Sequence, residues 1–318
     1  MSPAASIVPG DPFDEFSFLH EQAAAQRRPA PSARRVAIDL ADGRALSALA
    51  YGEARPRVVL LHGAGLNAHT WDSTVIALGI PALAVDLAGH GDSSWREDAV
   101  YAPRGLAEDV AAGIEAWADA PVVLVGQSLG GLTAAALAAA RPDLVSRVVV
   151  VDITPAVTAL GGPEELRRFY EETVFDTREQ IVERAVAFGL GGSLDQARRG
   201  VLLNTRVRED GRAEWKHHYA RLLSPAGADE APKALAFSPA DGWADLAGTE
   251  APLTLVRGTS GYLSDADAAE FADRLPSANV VAIDAPHNVQ EVAFDDLAAL
   301  IAPLAAPAGA APEGTPSA

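Results

Sequence analysis

Ser128 stands between two glycines in Gly126-Gln127-Ser128-Leu129-Gly130, and its flanks say more than the motif does. The apolar run 122–125 precedes it, and a Leu- and Ala-rich run, 132–140, follows and stops before Arg141-Pro142. The serine therefore falls where a buried strand turns directly into a helix. Such a turn is tight, so the residues two before and two after the serine must be small, and the hydroxyl projects above the sheet edge. The N-terminal end of the following helix favours developing negative charge there. The chemistry open to this hydroxyl is attack on a carbonyl carbon. The plainer alternative is a glycine-rich turn that only packs closely or binds phosphate.

A second apolar run, 58–61, ends in His62-Gly63-Ala64-Gly65. A tetrahedral intermediate needs two donors aimed at its oxyanion, and small residues let backbone N–H groups come close. The amides of Ala64 and Leu129 are the expected donors, with Gly65 as the alternate to Ala64. His62, at this corner, is expected to hold the loop by hydrogen bonds rather than to transfer protons.

The elements that must position these groups follow from the pattern of apolar runs. Segments 35–40 and 45–51 read as two strands around the turn Ala41-Asp42-Gly43. The runs 58–61, 82–85, 122–125, 148–151, 253–256 and 280–283 are short, continuously apolar and mostly followed by helical stretches. Continuous rather than alternating apolar strands indicate an α/β architecture, a mostly parallel sheet covered by helices on both faces. Between 155 and 242 the rhythm breaks, with helical patterns at 164–172, 178–188, 194–203 and 215–223 and no convincing strand. A helical insert between two strands of one sheet is expected to form a lid over the strand ends, where ligands of open α/β sheets bind. Residues 1–33 read as an N-terminal extension with a short helix near 16–26, 34–154 and 243–306 as the core, and 307–318 as a disordered tail.

Composition narrows the function classes. No cysteine is present, which removes thiol catalysis, thiolate metal sites and disulfides and fits a reducing, cytoplasmic setting. The formal net charge of -18 disfavours nucleic acid as a partner, since a phosphate backbone demands a basic face. No run is long and apolar enough for a membrane span, and residues 1–18 lack a secretory pattern. A small-molecule substrate is the expected partner. Oligomeric state, a homodimer included, is not set by the sequence.

Taken together, four motifs in order resemble the α/β-hydrolase superfamily, in particular its lidded serine esterase and C–C-hydrolase-like branch. They are His62-Gly63-Ala64-Gly65, then Asp86-Leu87-Ala88-Gly89-His90-Gly91-Asp92-Ser93, then Gly126 to Gly130, then Ala285-Pro286-His287-Asn288-Val289. The resemblance covers roughly 34–304 and implies an α/β-hydrolase fold with a helical lid inserted after the sixth strand. It implies that His287, after the last strand, is the base that activates Ser128, in the chain order Ser, acid, His. It also implies that Asp86 and His90 belong to a structural turn. Of the other histidines, His217 and His218 fall in the lid and His20 and His69 in stretches read as exposed. None has metal-ligand spacing, and neither a metal nor a cofactor is expected.

The acid is where the chain departs from the family. Its usual slot, after the strand that follows the lid, falls at Ser260 to Tyr262 and holds no carboxylate. Asp265 comes late and reads equally as part of a helix start with Ser264. The superfamily's alternative slot is the end of the strand before the lid, where Asp152 leaves the run 148–151. A carboxylate there can accept the second imidazole N–H of His287, so Asp152 is the expected acid and Asp265 the alternate. Asp152 also reads as a turn-former ahead of Pro155. The expected reaction is hydrolysis of small or medium carboxylic esters through an acyl-enzyme, with Phe188, Leu203, Asn204, Trp215 and Tyr219 lining an apolar pocket. The alternatives are C–C bond hydrolysis of diketone-like substrates, which asks for Arg167, Arg168 or Arg206 facing the nucleophile, haloperoxidase-like activity, and a non-catalytic ligand-binding member of the fold.

Overall fold

The computed structural model describes residues 13–157, 164–190, 192–227, 229–230 and 237–306. The tail expected at 307–318 lies outside them, as do the first twelve residues. Eight strands form the central sheet: β1 (Ala33–Asp39), β2 (Ala45–Tyr51), β3 (Val58–Leu61), β4 (Ala82–Asp86), β5 (Val122–Gln127), β6 (Val145–Val151), β10 (Leu253–Ser260) and β11 (Asn279–Pro286). Their order is β1-β2-β4-β3-β5-β6-β10-β11, with β1–β2 and β2–β4 antiparallel and every other pair parallel. Every residue of β3, β4 and β5 is buried, as continuous apolar strands covered on both faces require.

Two apolar layers sandwich the sheet. On one face, α3 (Pro103–Trp117) and α4 (Leu129–Ala140) bury Leu106, Val110, Ile114, Leu132 and Leu137. On the other, α1 (Ser17–Ala25) and α2 (Asp72–Leu78) join the last α-helix among the described residues, α12 (Phe294–Ile301), around Trp71, Val75, Leu297 and Ile301. Strands 3 and 5 lie side by side at the centre, so the loops leaving their carboxyl ends, 62–65 and 128 onward, meet at one sheet edge.

The insert between β6 and β10 contains α5 (Glu164–Phe169), α6 (Arg178–Ala187), α7 (Leu194–Asn204) and α8 (His218–Leu223), close to the helical segments expected, and a further helix that was not expected, α9 (Pro239–Gly248), leads back to β10. It also contains strands that sequence reasoning missed. β7 (Val174–Phe175), β8 (Thr205–Val207) and β9 (Ala213–Trp215) form a small antiparallel sheet in the order β7-β9-β8. Trp215 therefore sits on a strand, not at a helix start. Segments of two or three residues are too short to display a period of two, so only pairing across the insert defines them.

The N-terminal segment is docked. Leu19 and Ala23 of α1 are buried in the second layer. Glu15 meets Arg35 at 2.5 Å and His69 at 3.2 Å, and His69 meets Asp72 at 3.0 Å. His69 was expected to be exposed; it is buried, because its partners come from 54 residues earlier as well as from its own helix start. Burial opposes charge on this imidazole, yet Asp72 and Glu15 outweigh it and raise its pKa to about 9. Burial likewise opposes charge on Glu15, but His69 and Arg35 hold its carboxyl well below the usual range.

The sign of the pH dependence follows. His69 contributes stability that is complete below its unfolded value of 6.5 and is lost as pH rises through about 9. Glu15 contributes stability that is present above 4.5 and lost as pH falls. Comparing urea unfolding of the wild type with His69→Gln should show the larger gap near pH 6, shrinking by about 3 kcal/mol toward pH 10. A gap that stays constant or widens in alkali contradicts the ion-paired assignment.

Candidate active site

Ser128 joins β5 directly to α4 with φ 51° and ψ −120°, in the left-handed region that a side chain resists. Its N–H donates to the Val151 carbonyl at 3.0 Å, and its carbonyl accepts from Gly131 and Leu132, which fixes the turn from both sides. The hydroxyl does not cap the helix and makes no hydrogen bond among the described residues. The flanking glycines are required by backbone approach. A Cβ on Gly126 would lie 2.1 Å from the Gly130 carbonyl oxygen, and one on Gly130 would lie 2.3 Å from that of Leu61. The expected strand–turn–helix is thus present, and its tightness is a matter of main-chain atoms.

The loop after β3 lies against this turn: a Cβ on Gly63 would come within 3.1 Å of the Ser128 Cβ. The N–H groups of Ala64 and Leu129 have no hydrogen-bond partner among the described residues. The alternate donor fares differently. Gly65 donates its N–H to His90 Nε2 at 3.0 Å, so that amide is already engaged. His62 accepts the Leu87 N–H on Nε2 at 3.0 Å and uses Nδ1 toward the Gly63 carbonyl at 2.8 Å. Both of its nitrogens hold loops together, and burial lowers its pKa, so it stays neutral. Asp86 accepts from the Ala68 and Asp92 amides and from Arg35, and His90 bridges Gly65 to Ala88, so both tie the turn rather than face Ser128.

His287 leaves β11 just ahead of α11 (Val289–Val292), and its Nδ1 lies 2.8 Å from Asp152 Oδ2. Gln127, next to Ser128, donates from Nε2 to the His287 carbonyl at 3.3 Å and to Asn288 Oδ1 at 3.4 Å, which pins the histidine loop beside the serine turn. Asp152 is fully buried, follows β6 and has φ 52°. Its Oδ1 accepts the Gly258 N–H at 3.0 Å, and its Oδ2 accepts the Tyr262 N–H at 2.7 Å. Only four described non-glycine residues have positive φ, and Ser128 and Asp152 are two of them. Such strain persists where the surrounding structure over-determines it and concentrates at functional sites.

Asp265 is elsewhere. It opens α10 (Asp265–Arg274), 93% exposed, and pairs with Arg257 rather than with His287. Ser264 caps that helix, with Asp267 returning the bond. The loop at 258–262 therefore carries no carboxylate of its own and instead donates two backbone N–H groups to that of Asp152. Gly261 makes the room, since a Cβ there would fall 2.2 Å from Asp152 Oδ2. Gly261→Ala should displace the carboxylate or the loop and lower turnover about tenfold or more, since small misplacements of catalytic groups carry costs of this order. Turnover within twofold of wild type would show that the loop yields freely.

Sequence reasoning missed Tyr262, whose ring stacks on His287 at 3.6 Å between centroids and 13° between planes. The glycines at 258 and 261 around an empty acid slot were the available signal.

The five insert residues expected around a pocket separate into groups. Phe188 and Trp215 pack with Phe169 at 5.5 and 5.6 Å, so their rings serve the insert's own aromatic cluster. The Leu203 carbonyl and the Asn204 side chain both accept from Asn67, and Asn204 Nδ2 donates to the Gly65 carbonyl at 2.6 Å. Tyr219 faces the same loop, 3.7 Å from a Cβ placed on Gly65, with the Tyr170 hydroxyl at 3.8 Å. His217 and His218 are buried and neutral, their pKa values lowered by burial to about 3 and about 4. His218 also bonds the Gly89 carbonyl through its N–H and Tyr101 through Nδ1. The insert is thereby tied to the loops that leave the carboxyl ends of β3 and β4.

A sequence profile of the α/β hydrolase fold matches residues 56–294. The chain is 39% identical over 273 residues to "Esterase Rv0045c" of Mycobacterium tuberculosis, covering 82% of this chain and 85% of that one. A solved structure of that esterase superposes with a TM-score of 0.74 at 34% identity, covering 92% of this chain and 98% of that one. The crystal structure of E-2-(acetamidomethylene)succinate hydrolase gives a TM-score of 0.71 at 25% identity, over 85% and 98% of the two chains. With a family profile spanning most of its length and a 39%-identical relative covered over four fifths of both chains, this chain belongs to the α/β-hydrolase family and is a hydrolase.

Proposed function

We propose that the protein is a serine esterase acting on small or medium carboxylic esters. The observation that carries this reading is the His287–Asp152 pair, hydrogen-bonded at 2.8 Å and pinned through Gln127 to the strained turn that presents Ser128. The esterase activity named for the 39%-identical relative supports it. In this mechanism His287 Nε2 takes the Ser128 proton as Oγ attacks the ester carbonyl, and Asp152 stabilises the imidazolium through Nδ1. The free amides of Ala64 and Leu129 hold the oxyanion, aided by the N-terminal end of α4. His287 then returns the proton to the departing alcohol. Water, deprotonated by the same histidine, attacks the acyl-enzyme and releases the acid.

The insert is proposed to act as a lid. Ser128 is 7% exposed, and Tyr170, Asn204 and Tyr219 of the insert meet the loop at Gly65. Of the basic residues that the C–C hydrolase alternative asks for, Arg206 is already paired with Glu214 at 2.8 Å beside the Trp95 ring, so that reading falls to Arg167 and Arg168. A fluorophosphonate probe should label the protein at one site, and a series of p-nitrophenyl esters should be turned over best at short to medium acyl length. Absence of labelling, or a preference for the longest acyl chains only, contradicts the proposal.

A further inference from the structure

We infer that Tyr262 is a positioning residue for the Ser128–His287–Asp152 site, holding the acid with its backbone and the base with its ring. The inference rests on the esterase reading above and deepens it. Two contacts from one residue carry it. The Tyr262 N–H donates to Asp152 Oδ2 at 2.7 Å, the same oxygen that receives His287 Nδ1 at 2.8 Å. The Tyr262 ring lies nearly parallel to the imidazole, 3.6 Å away.

The physical need for the ring is specific. The hydrogen bond to Asp152 fixes one edge of the imidazole, but a ring held at one edge can still swing about that bond. For proton transfer Nε2 must stay aimed at Ser128, and a face-on aromatic contact restricts that swing. The quadrupole of the phenol ring also attracts the imidazolium formed in each half-reaction. No other aromatic ring stacks on His287 among the described residues. Tyr262 is 53% exposed and belongs to none of the buried apolar clusters. Its loop is held without the ring: Gly261 donates to the Gly258 carbonyl, and Arg257 Nε donates to the Leu263 carbonyl at 2.8 Å. Removing the side chain therefore removes the stack while the backbone donor to Asp152 remains.

The test compares Tyr262→Phe with Tyr262→Ala in the full chain, measuring kcat and KM on p-nitrophenyl esters of two acyl lengths. The second-order rate of Ser128 labelling by a fluorophosphonate is read in parallel, as is the melting temperature. Tyr262→Phe should stay within about threefold of wild type, because the stack needs only the ring face. Tyr262→Ala should lose roughly tenfold or more in kcat and by a similar factor in labelling rate, with KM within about threefold and melting nearly unchanged, as expected for lost orientation rather than lost binding. The inference is overturned if Tyr262→Ala retains wild-type kcat and labelling, if its loss falls in KM alone, or if Tyr262→Phe is as impaired as Tyr262→Ala. A wild-type protein that neither reacts with the probe nor hydrolyses esters removes the site reading and this inference together. A wild type that reacts while Tyr262→Ala reacts equally fast removes this inference alone.

Discussion

Ser128→Ala should abolish covalent labelling by the fluorophosphonate and lower ester turnover by about 10⁴-fold or more, the scale seen when a triad nucleophile is deleted. The fold should survive. The Ser128 hydroxyl makes no hydrogen bond among the described residues, and alanine keeps the Cβ already accommodated at φ 51°. Melting should therefore move by only a degree or two, on the order of 0.5 kcal/mol or less. Ser128→Gly gives a sharper check on the strain. Without a Cβ the left-handed turn costs less, so this variant should be inactive yet more stable than Ser128→Ala by about 1 kcal/mol. Persistent labelling in either variant would place the nucleophile elsewhere, and a Gly variant less stable than the Ala variant would mean the turn stores no strain.

The second large effect separates the two candidate acids. Asp152 uses both carboxylate oxygens as acceptors, Oδ1 for the Gly258 N–H and Oδ2 for the Tyr262 N–H and His287 Nδ1. Asparagine has one oxygen and one NH2 group, so in either orientation its NH2 faces an N–H donor. If NH2 replaces Oδ2, it confronts the Tyr262 amide and forces His287 to accept on Nδ1, the wrong tautomer for taking the Ser128 proton. If it replaces Oδ1, it confronts Gly258. Asp152→Asn should thus lower turnover by about 10³–10⁴, the cost of this change in serine-protease triads. It should also destabilise the fold by about 1–3 kcal/mol through the unsatisfied buried donor.

Asp265→Asn should leave turnover within about twofold and cost no more than about 1 kcal/mol, since its pair with Arg257 is at the surface. Kinetics on both variants decide the point. An inactive Asp265→Asn beside an active Asp152→Asn would reverse the assignment. Two active variants would mean that the base works without a carboxylate.

The tight turn at Ser128, the free amide at Ala64 and the parallel-sheet frame were legible in the chain itself, because each depends on local rules, whereas His287 was singled out only by the resemblance of its motif. An apolar run, a glycine-limited turn and a helix run are contiguous, and the constraint at Gly126 and Gly130 acts within one turn of backbone. Asp152 was legible only as a preference over Asp265. What settles their geometry is the order of strands. β10 pairs with β6 at Val256 and Val151, which sets the loop at 258–262 over Asp152, while Asp265 is carried away on an exposed helix. The burial of His69 depends on Glu15, the engagement of the Gly65 amide on His90, and the stack on His287 on a residue 25 positions earlier in the chain. The sheet inside the insert has strands too short to show a period. Local sequence determined which groups can react; long-range pairing decided which of them meet, because hydrogen bonds and ring contacts between distant segments leave no periodic trace along the chain.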